Sequence, residues 1–271
     1  MGWFWAEKSQ VQPSASSSSC PVSSGQPDSE TESACPVMRA PSSGSYDDRI
    51  NPLNNIPFSL SRGKQTGQRL DLPTERTTST IPKGDRKNEQ FWEYPSPQQM
   101  YNAMVRKGKI DPNTGEEIPE DAVESMVFVH NFLNEGCWQQ VLEWESKYTE
   151  SSQMEPKLLK FMGRPTELSP RARWFHLLSY VFPSHFSRDL PFDRHDWVVL
   201  RPDPSSLDTE NPGFKKVRYI IDFYGGADDE DGLPTFNLDV RPALDSFSSA
   251  KDRFEHWTKP ILDEYLGPRD K

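Results

Sequence analysis

The sequence predicts an α+β fold, in which a helical part precedes a small antiparallel sheet and a final helix. Between residues 91 and 183, apolar side chains recur at helical spacing, whereas from residue 196 to 241 they occur in short runs rich in Val, Ile, Phe and Tyr. Helices that precede strands, rather than alternating with them, are typical of α+β folds.

A tail precedes this predicted body. Residues 9–45 are mostly Ser with Pro and Gly and contain hardly any large apolar side chain, so burial cannot offset the entropy of ordering them. We therefore expect residues 1–45 to be disordered. Residues 46–90 contain several X-Pro pairs, which favour extended backbone. We expect them to wrap over a single folded body formed by residues 91–271.

Two helices of the body carry the same start signal. Ser96-Pro97 and Ser169-Pro170 each place a capping serine before a proline at the first helical position. Gly108 ends the first of these helices, and Pro183 ends the second. Both helices are predicted from local sequence chemistry alone.

Two further helices are predicted between them. Apolar residues recur at helical spacing from residue 120 to 130, and again after Asn134, where Trp138 begins a second apolar face. The intervening Asn and Gly residues favour a break between the two helices. His130 would then lie at the end of the first.

Strands are predicted at residues 196–201, 216–224 and 235–241, and the loop 225–234 carries strong turn chemistry. The short connections favour a three-stranded antiparallel meander. Asp245 is predicted to cap the final helix.

Charge and hydropathy exclude two broad classes of protein. The chain has 271 residues and a formal net charge of −10, and all of the acidic excess lies in residues 91–271. Nucleic-acid binding needs a basic surface, so we expect no nucleic-acid partner. A mean hydropathy of −0.80 argues against a membrane-spanning protein. The acidic body suits a basic partner protein, although a solvated acidic surface is the commoner origin of such charge.

Three cysteines are too few for a disulfide framework or a four-cysteine metal site. Two of them form a repeated tail motif, Cys20-Pro21-Val22 and Cys35-Pro36-Val37. A thiolate is a soft iron ligand and the following proline directs the chain away, so Cys-Pro-Val suits heme binding. Two incidental cysteines, or a labile Cys20–Cys35 disulfide, fit the same motif.

His130 is the candidate iron ligand of the body. It lies on the apolar face of its predicted helix, where an imidazole beside Trp and Met side chains can bind heme iron axially. A hydrogen-bonded core histidine fits this pattern too. His195, between Asp193 and Asp196, instead suits a structural ion pair. The chain contains no G-x-S-x-G, P-loop, G-x-G-x-x-G or H-E-x-x-H motif that would assign another chemistry.

Eight irregular strings lie in order along nearly the whole chain. They are MGWFWAEK at the start, the Cys-Pro-Val repeats, DRINPLNN at 47–54, FWEYPSPQQMYNAMVRKGK at 91–109, VHNFLNEGCWQQVLEWE at 129–145, LSPRARW at 168–174, LPFDRHDW at 190–197 and DVRPALDS at 239–246. Amphipathic patterning does not produce such strings. Together they closely resemble the mitochondrial cytochrome c heme lyases, also called holocytochrome c synthases.

This resemblance implies that heme b is attached covalently to apocytochrome c, by addition of two C-x-x-C-H thiols to the heme vinyl groups. It implies that His130 is a catalytic axial ligand to the iron and that no other metal takes part. Trp92 and Tyr94 fall in a heme-contacting segment, while Glu135 and Arg201 fall at positions implicated in lyase function. We expect Arg201 to bind heme through a propionate, or to pair with an acidic core side chain.

The resemblance also implies a location in the mitochondrial intermembrane space, peripheral on the inner membrane. Trp3, Phe4 and Trp5 are candidate interfacial anchors, and they are equally suited to packing on the body. Two other functions remain open alongside the synthase for cytochrome c. One is the sister lyase for cytochrome c1, and the other is a non-catalytic heme carrier or sensor that uses the Cys-Pro-Val tail.

Overall fold

The structure, a computed structural model, describes residues 51, 53, 62–84, 90–106, 108, 119–230 and 232–266, with the side chains of 260–266 excepted. Cys20, Cys35 and the aromatic residues at the start of the chain lie outside the described residues. The predictions for the tail therefore stay predictions.

The described part of the chain mixes helices with antiparallel strands, which confirms the predicted α+β class. In order, the elements are β1 (Thr78–Pro82), β2 (Phe91–Glu93), α1 (Pro97–Arg106), α2 (Val123–Ser152), β3 (Lys157–Gly163), α3 (Pro170–Val181), β4 (Asp193–Pro202), β5 (Phe214–Gly225), β6 (Phe236–Pro242) and α4 (Phe247–Leu266). Strands β1 and β2 form one sheet, and β3-β4-β5-β6 form a second in that order. Among the described helices, none has the length and apolar character needed to cross a membrane.

The larger sheet contains the predicted meander as β4, β5 and β6, each antiparallel to its neighbour. Strand β3 adds a fourth strand at the edge of β4 that the sequence did not predict. Leu158 is the only fully buried residue among the seven of β3. The strand therefore shows little of the alternation between buried and exposed side chains that marks a strand in a sequence. Its strand conformation depends on pairing with β4.

Helix α2 is one continuous helix of 30 residues, so the prediction of two separate helices was wrong. Asn134 does not cap a helix; its side-chain amide donates to the His130 carbonyl one turn earlier at 2.7 Å. Gly136 lies against the sheet, where an added Cβ would stand 3.2 Å from Leu238 Cδ1. Burial against the sheet outweighs the roughly 1 kcal/mol that a helical glycine costs. His130 therefore lies within a helix and not at its end.

The core lies between α2 and one face of the larger sheet. Alternate strand residues face α2, among them Trp197, Val199, Val217, Tyr219, Ile221 and Phe223, and they pack against Leu133, Cys137, Trp138 and Val141 of the helix. Cys137 is fully buried, and this burial raises the pKa of its thiol.

Charged residues occupy the opposite face of the sheet, where they hold the start of α3. Ser169 caps the helix as predicted, because its hydroxyl accepts from the Ala172 N–H at 3.1 Å. The same hydroxyl donates to Asp222 at 2.5 Å, and the Arg241 guanidinium donates to Asp222 at 2.6 Å. Helices α2 and α3 are thus anchored on opposite faces of one sheet.

Helix α4 begins where predicted, but its cap differs from the prediction. Asp245 pairs with Arg218 at 2.7 Å and does not cap the helix. The Ser246 hydroxyl accepts from the Ser249 N–H at 3.2 Å instead. The attraction of a guanidinium on β5 outweighs the local capping preference of the aspartate.

Candidate heme site

His130 is held by one ring nitrogen and open at the other. Its Nδ1 lies 3.1 Å from the Asn131 side-chain oxygen, which can only accept, so Nδ1 carries the proton. Its Nε2 has no hydrogen-bond partner among the described residues. The Tyr94 ring meets the imidazole edge to face at 5.9 Å. A tautomer fixed in this way directs the Nε2 lone pair outward, as in metal-binding histidines.

The surroundings of His130 favour its neutral form. Its pKa is lowered, chiefly because burial penalises the imidazolium and also because of the neighbouring His195. The hydrogen bond to Asn131 and the charge of Asp193 oppose this shift without reversing it. At neutral pH the lone pair of Nε2 is therefore available to a metal.

Glu135 joins the small sheet to α2 at the turn that follows His130. It accepts from the Tyr94 hydroxyl at 2.9 Å and from the Thr80 N–H at 3.0 Å, and also from the Thr80 hydroxyl. Burial, and then the Glu135 carboxylate, raise the pKa of Tyr94, which stays a donor. These bonds fix the ring that contacts His130.

Trp92 lies two residues before Tyr94 and faces β3. Its indole N–H donates to the Leu158 carbonyl at 2.9 Å, and its ring meets Phe161 edge to face at 5.1 Å. The indole is 9% exposed. Of the two aromatic residues predicted to contact heme, Tyr94 contacts His130 directly, whereas Trp92 packs the small sheet against β3.

Arg201 is buried in a cluster of charges and does not lie at this site. Its Nε and Nη2 donate to Glu145 at 2.7 and 2.8 Å, and its Nη1 donates to Asp252 at 2.8 Å. Although burial alone would lower the pKa of Arg201, its bonds to Glu145 raise it. Of the two partners expected from the sequence, the described structure contains the acidic core side chains. Because Glu145 follows His130 by 15 residues of α2, the two sites are about 22 Å apart along the helix.

His195 and Asp193 are neighbours of His130 that the sequence did not place there. The contact expected for the predicted ion pair is present, since His195 Nε2 lies 3.1 Å from Asp193 Oδ2. The His195 ring also contacts Phe223 at 5.0 Å, and its Nδ1 is buried without a hydrogen-bond partner. Their approach to His130 depends on the packing of β4 against α2, which no local motif indicates.

Aromatic side chains lie on α2 near His130 and at one end of the larger sheet. Phe128 and Phe132 lie two residues before and after it and are 72% and 66% exposed. Phe192 and Phe236 lie beside the core at the same end of the sheet, with their rings 6.1 Å apart. Residues two apart on a helix point to opposite sides, so Phe128 and Phe132 do not face His130. Phe192 and Phe236 instead pack on the core side of α2.

A groove of about 480 Å³ lies further along α2 and does not include His130. It runs between the small sheet and α2, and Thr80, Phe91, Trp138 and Leu142 are among its lining residues. The candidate heme site is therefore at His130, on the side of α2 that carries its buried residues, rather than in this groove.

Comparison with known proteins decides the family. The model of the cytochrome c/c1 heme lyase family matches residues 1–257. The chain belongs to the cytochrome c/c1 heme lyase family. The family predicted from the sequence is thereby confirmed, as is the enzyme class, a lyase that forms carbon–sulfur bonds.

Similar heme lyases occur in distant organisms. The chain is 60% identical to the holocytochrome-c synthase of Saccharomyces cerevisiae, over 97% of this chain and 96% of that protein. It is 35% identical to the human holocytochrome c-type synthase, over 78% of this chain and 71% of that protein. A Schizosaccharomyces pombe protein assigned as a holocytochrome-c1 synthase is 40% identical over 69% of this chain and 76% of its own length. No solved structure matches this heme lyase.

Proposed function

We propose that this heme lyase is a holocytochrome c synthase, with heme b and apocytochrome c as its substrates. The observation that carries the proposal is His130, a neutral imidazole fixed through Nδ1 and open at Nε2. One histidine is sufficient to hold the iron from one side, because the porphyrin supplies four nitrogens of its own. The high identity to a holocytochrome-c synthase over nearly both full lengths supports the choice of cytochrome c.

The proposed chemistry needs no nucleophile from the enzyme. Each substrate thiol adds across a vinyl group: a carbon–sulfur bond forms, the thiol proton passes to the other vinyl carbon, and the double bond becomes single. No oxidant is consumed. The enzyme contributes proximity, which is worth up to about 7–11 kcal/mol when reacting groups are well oriented. His130 fixes the iron, and the C-x-x-C-H histidine of the substrate binds the opposite side.

Glu135 acts in this proposal as a positioning residue. Its bonds to Tyr94 and Thr80 set the place of the small sheet against α2, and thus the aromatic wall beside His130. Trp92 stabilises the other end of that wall through Leu158. A shift of this wall by about 1 Å would lower the rate of heme attachment without removing the iron ligand.

The proposed setting is the mitochondrial intermembrane space, with peripheral attachment to the inner membrane. The Cys20 and Cys35 motifs would bind heme. The acidic excess of residues 91–271 would attract a basic cytochrome during encounter. Release would follow when the iron ligands of the finished cytochrome replace His130.

Co-expression with apocytochrome c, in a bacterium that lacks its own cytochrome c maturation system, tests the proposal. We expect heme that stays on the cytochrome through acid-acetone extraction, and a six-coordinate heme spectrum on the enzyme purified together with its bound cytochrome. His130→Ala should abolish both. His256→Ala is the matched control, because His256 stacks on Trp144 of α2 at 4.0 Å in a part of the protein remote from His130.

Chemical rescue separates ligation from folding. Added imidazole should restore heme binding to His130→Gly, since a free imidazole can occupy the space of the missing ring. Normal heme transfer by His130→Ala would overturn the assignment. Heme bound without transfer to apocytochrome c or c1 would replace the synthase with a carrier or sensor, and transfer to c1 alone would replace the substrate.

A further inference from the structure

Helix α3 displays its large apolar side chains to solvent and its small side chains to the protein. Ala172 and Ser179 are buried at 3% and 0% exposure. Trp174, Leu177 and Val181 are 57%, 56% and 64% exposed. Helices on a protein surface normally show the reverse pattern, with the apolar stripe facing the core. The outward stripe is therefore unexplained by the packing of the chain on itself.

The exposed surface continues past the stripe. We define the outer face of α3 as Trp174, Leu177, Tyr180, Val181 and Phe182, whose exposed fractions are all above 50%. Scattered exposed apolar residues are ordinary, but a contiguous set on one helix indicates a binding surface. Trp and Tyr beside aliphatic residues are typical of surfaces that meet the boundary between lipid and water.

The charge around this face is basic in an otherwise acidic protein. Residues 168–188 contain three arginines and no Asp or Glu, whereas the whole chain carries a net charge of −10. Glu167 and Asp189 flank this segment, and Arg171 pairs with Asp239 at 3.0 Å. Arg173 is exposed and has no ion-pair partner among the described residues. The Arg188 guanidinium lies 5.2 Å from the Tyr180 ring, at the rim of the outer face. An apolar stripe bordered by two arginines that have no ion-pair partner among the described residues is complementary to anionic lipid.

Charge also discriminates between possible occupants. A basic cytochrome would be repelled by Arg173 and Arg188. A second copy, docked face to face on a two-fold axis, would bring the same arginines together. A membrane surface with anionic headgroups pairs with the arginines while its acyl region accepts the Trp, Leu and Val side chains.

We propose that the outer face of α3 binds the surface of a membrane that contains anionic lipids. This deepens the proposed peripheral attachment by assigning it to one element. With 12 residues, α3 is about 18 Å long and too short to span a bilayer, so it lies in the plane of the interface. Because the start of α3 is anchored on the sheet face opposite α2, binding in this way leaves α2, which carries His130, on the far side of the sheet from the lipid.

Vesicle flotation of the full chain tests the proposal. The chain should float with phosphatidylcholine vesicles that contain phosphatidylglycerol, and much less with phosphatidylcholine alone. Trp174→Ser/Leu177→Ser/Val181→Ser should weaken binding at least about tenfold, since each side chain contributes buried apolar area. The matched control is Leu207→Ser/Leu233→Ser, which removes two leucines that are 94% and 60% exposed on loops.

A second variant tests the arginines. Arg173→Gln/Arg188→Gln should lose the preference for anionic vesicles and keep the weak binding to neutral ones. Far-ultraviolet circular dichroism shows whether each variant is folded. Equal binding by the triple variant and its control would overturn the proposal. So would loss of apocytochrome c capture, or a change from dimer to monomer, in the triple variant, because these outcomes assign the face to a protein partner.

The test is independent of heme transfer. If the chain binds vesicles through α3 and does not attach heme, the proposed synthase fails while this inference stands. If heme transfer in solution is normal and vesicles are not bound, only this inference fails.

Discussion

At the scale of single residues, His130 shows how one position can suit both a core side chain and the proposed iron ligand. The same burial that would hide an ordinary histidine keeps this one neutral, and Asn131 fixes which nitrogen is open. The sequence pattern left two interpretations, a core histidine and an iron ligand. The structure combines features of both, since the ring packs on Tyr94 and one nitrogen stays accessible.

The lowered pKa of His130 predicts resistance of heme binding to mild acid. An imidazolium cannot bind iron, so the complex should dissociate only when the pH falls through the pKa of the bound form. Burial places that pKa below the ordinary 6.5, and iron binding lowers it further. Acid titration of the heme-loaded enzyme, followed in the Soret band, should have its midpoint below 6.5. A midpoint above that value would contradict the assignment.

Replacement of Arg201 should lower the stability of the fold rather than the binding of heme. Arg201→Met should cost about 3–5 kcal/mol in the free energy of unfolding, because it leaves Glu145 buried as an uncompensated charge. Lys64→Met is the control, as the exposed Lys64–Asp71 pair should contribute only about 0–1 kcal/mol. Denaturant unfolding measures both. If folded Arg201→Met had normal stability and failed to transfer heme, the result would favour the contact between Arg201 and a heme propionate that the sequence predicted.

At the scale of elements, helices that depend on local sequence signals were predicted well, and elements that depend on tertiary packing were predicted poorly. The helices that begin at Ser-Pro were found because a cap and an N1 proline act within a few residues. Helix α2 was divided in two because Asn134 and Gly136 are poor helix formers, and its packing against Leu238 is invisible in the local sequence. Strand β3 was missed for the same reason, since it depends on β4.

The join between the small sheet and the larger one depends on Gly84. Its N–H donates to the Leu158 carbonyl at 2.9 Å, and an added Cβ would stand 3.0 Å from the Leu159 backbone. Gly84→Ala should therefore cost about 1–3 kcal/mol in the free energy of unfolding. Gly225→Ala, with open space around it, should change stability by less than about 0.5 kcal/mol. Thermal unfolding compares the two variants. Equal losses of stability would show that the backbone around Gly84 can move to accommodate a Cβ atom.

At the scale of the whole molecule, the candidate site is assembled from distant parts of the chain. The family and the ligand His130 were predicted from irregular strings, which are read locally. The approach of Tyr94 and His195 to that ligand was not, because it requires the small sheet and β4 to pack on the same turns of α2. Arg201 was predicted to bind a heme propionate or an acidic core side chain, and in the structure it pairs with Glu145 of α2 and Asp252 of α4.

The uneven charge of the chain predicts salt-sensitive encounter with apocytochrome c. All of the net charge of −10 lies in residues 91–271, so it should steer a basic partner toward the body. Raising the sodium chloride concentration should lower the association rate, since salt screens charges over a few ångströms to about 10 Å. Stopped-flow association measures this, with sucrose as the uncharged control solute. An unchanged rate would mean that the acidic surface serves only solubility.

The burial of Cys137 has a consequence for an enzyme that works beside reactive vinyl groups. Its thiol lies two turns along α2 from His130, about 10 Å on the helix axis, and is completely enclosed by the core. A solvent-facing thiol at that distance would compete with the substrate thiols for the heme vinyl groups. Each such addition would leave the enzyme permanently alkylated and inactive. With heme at the proposed site, enclosure that keeps the sulfur protonated and out of reach would protect the synthase from self-inactivation.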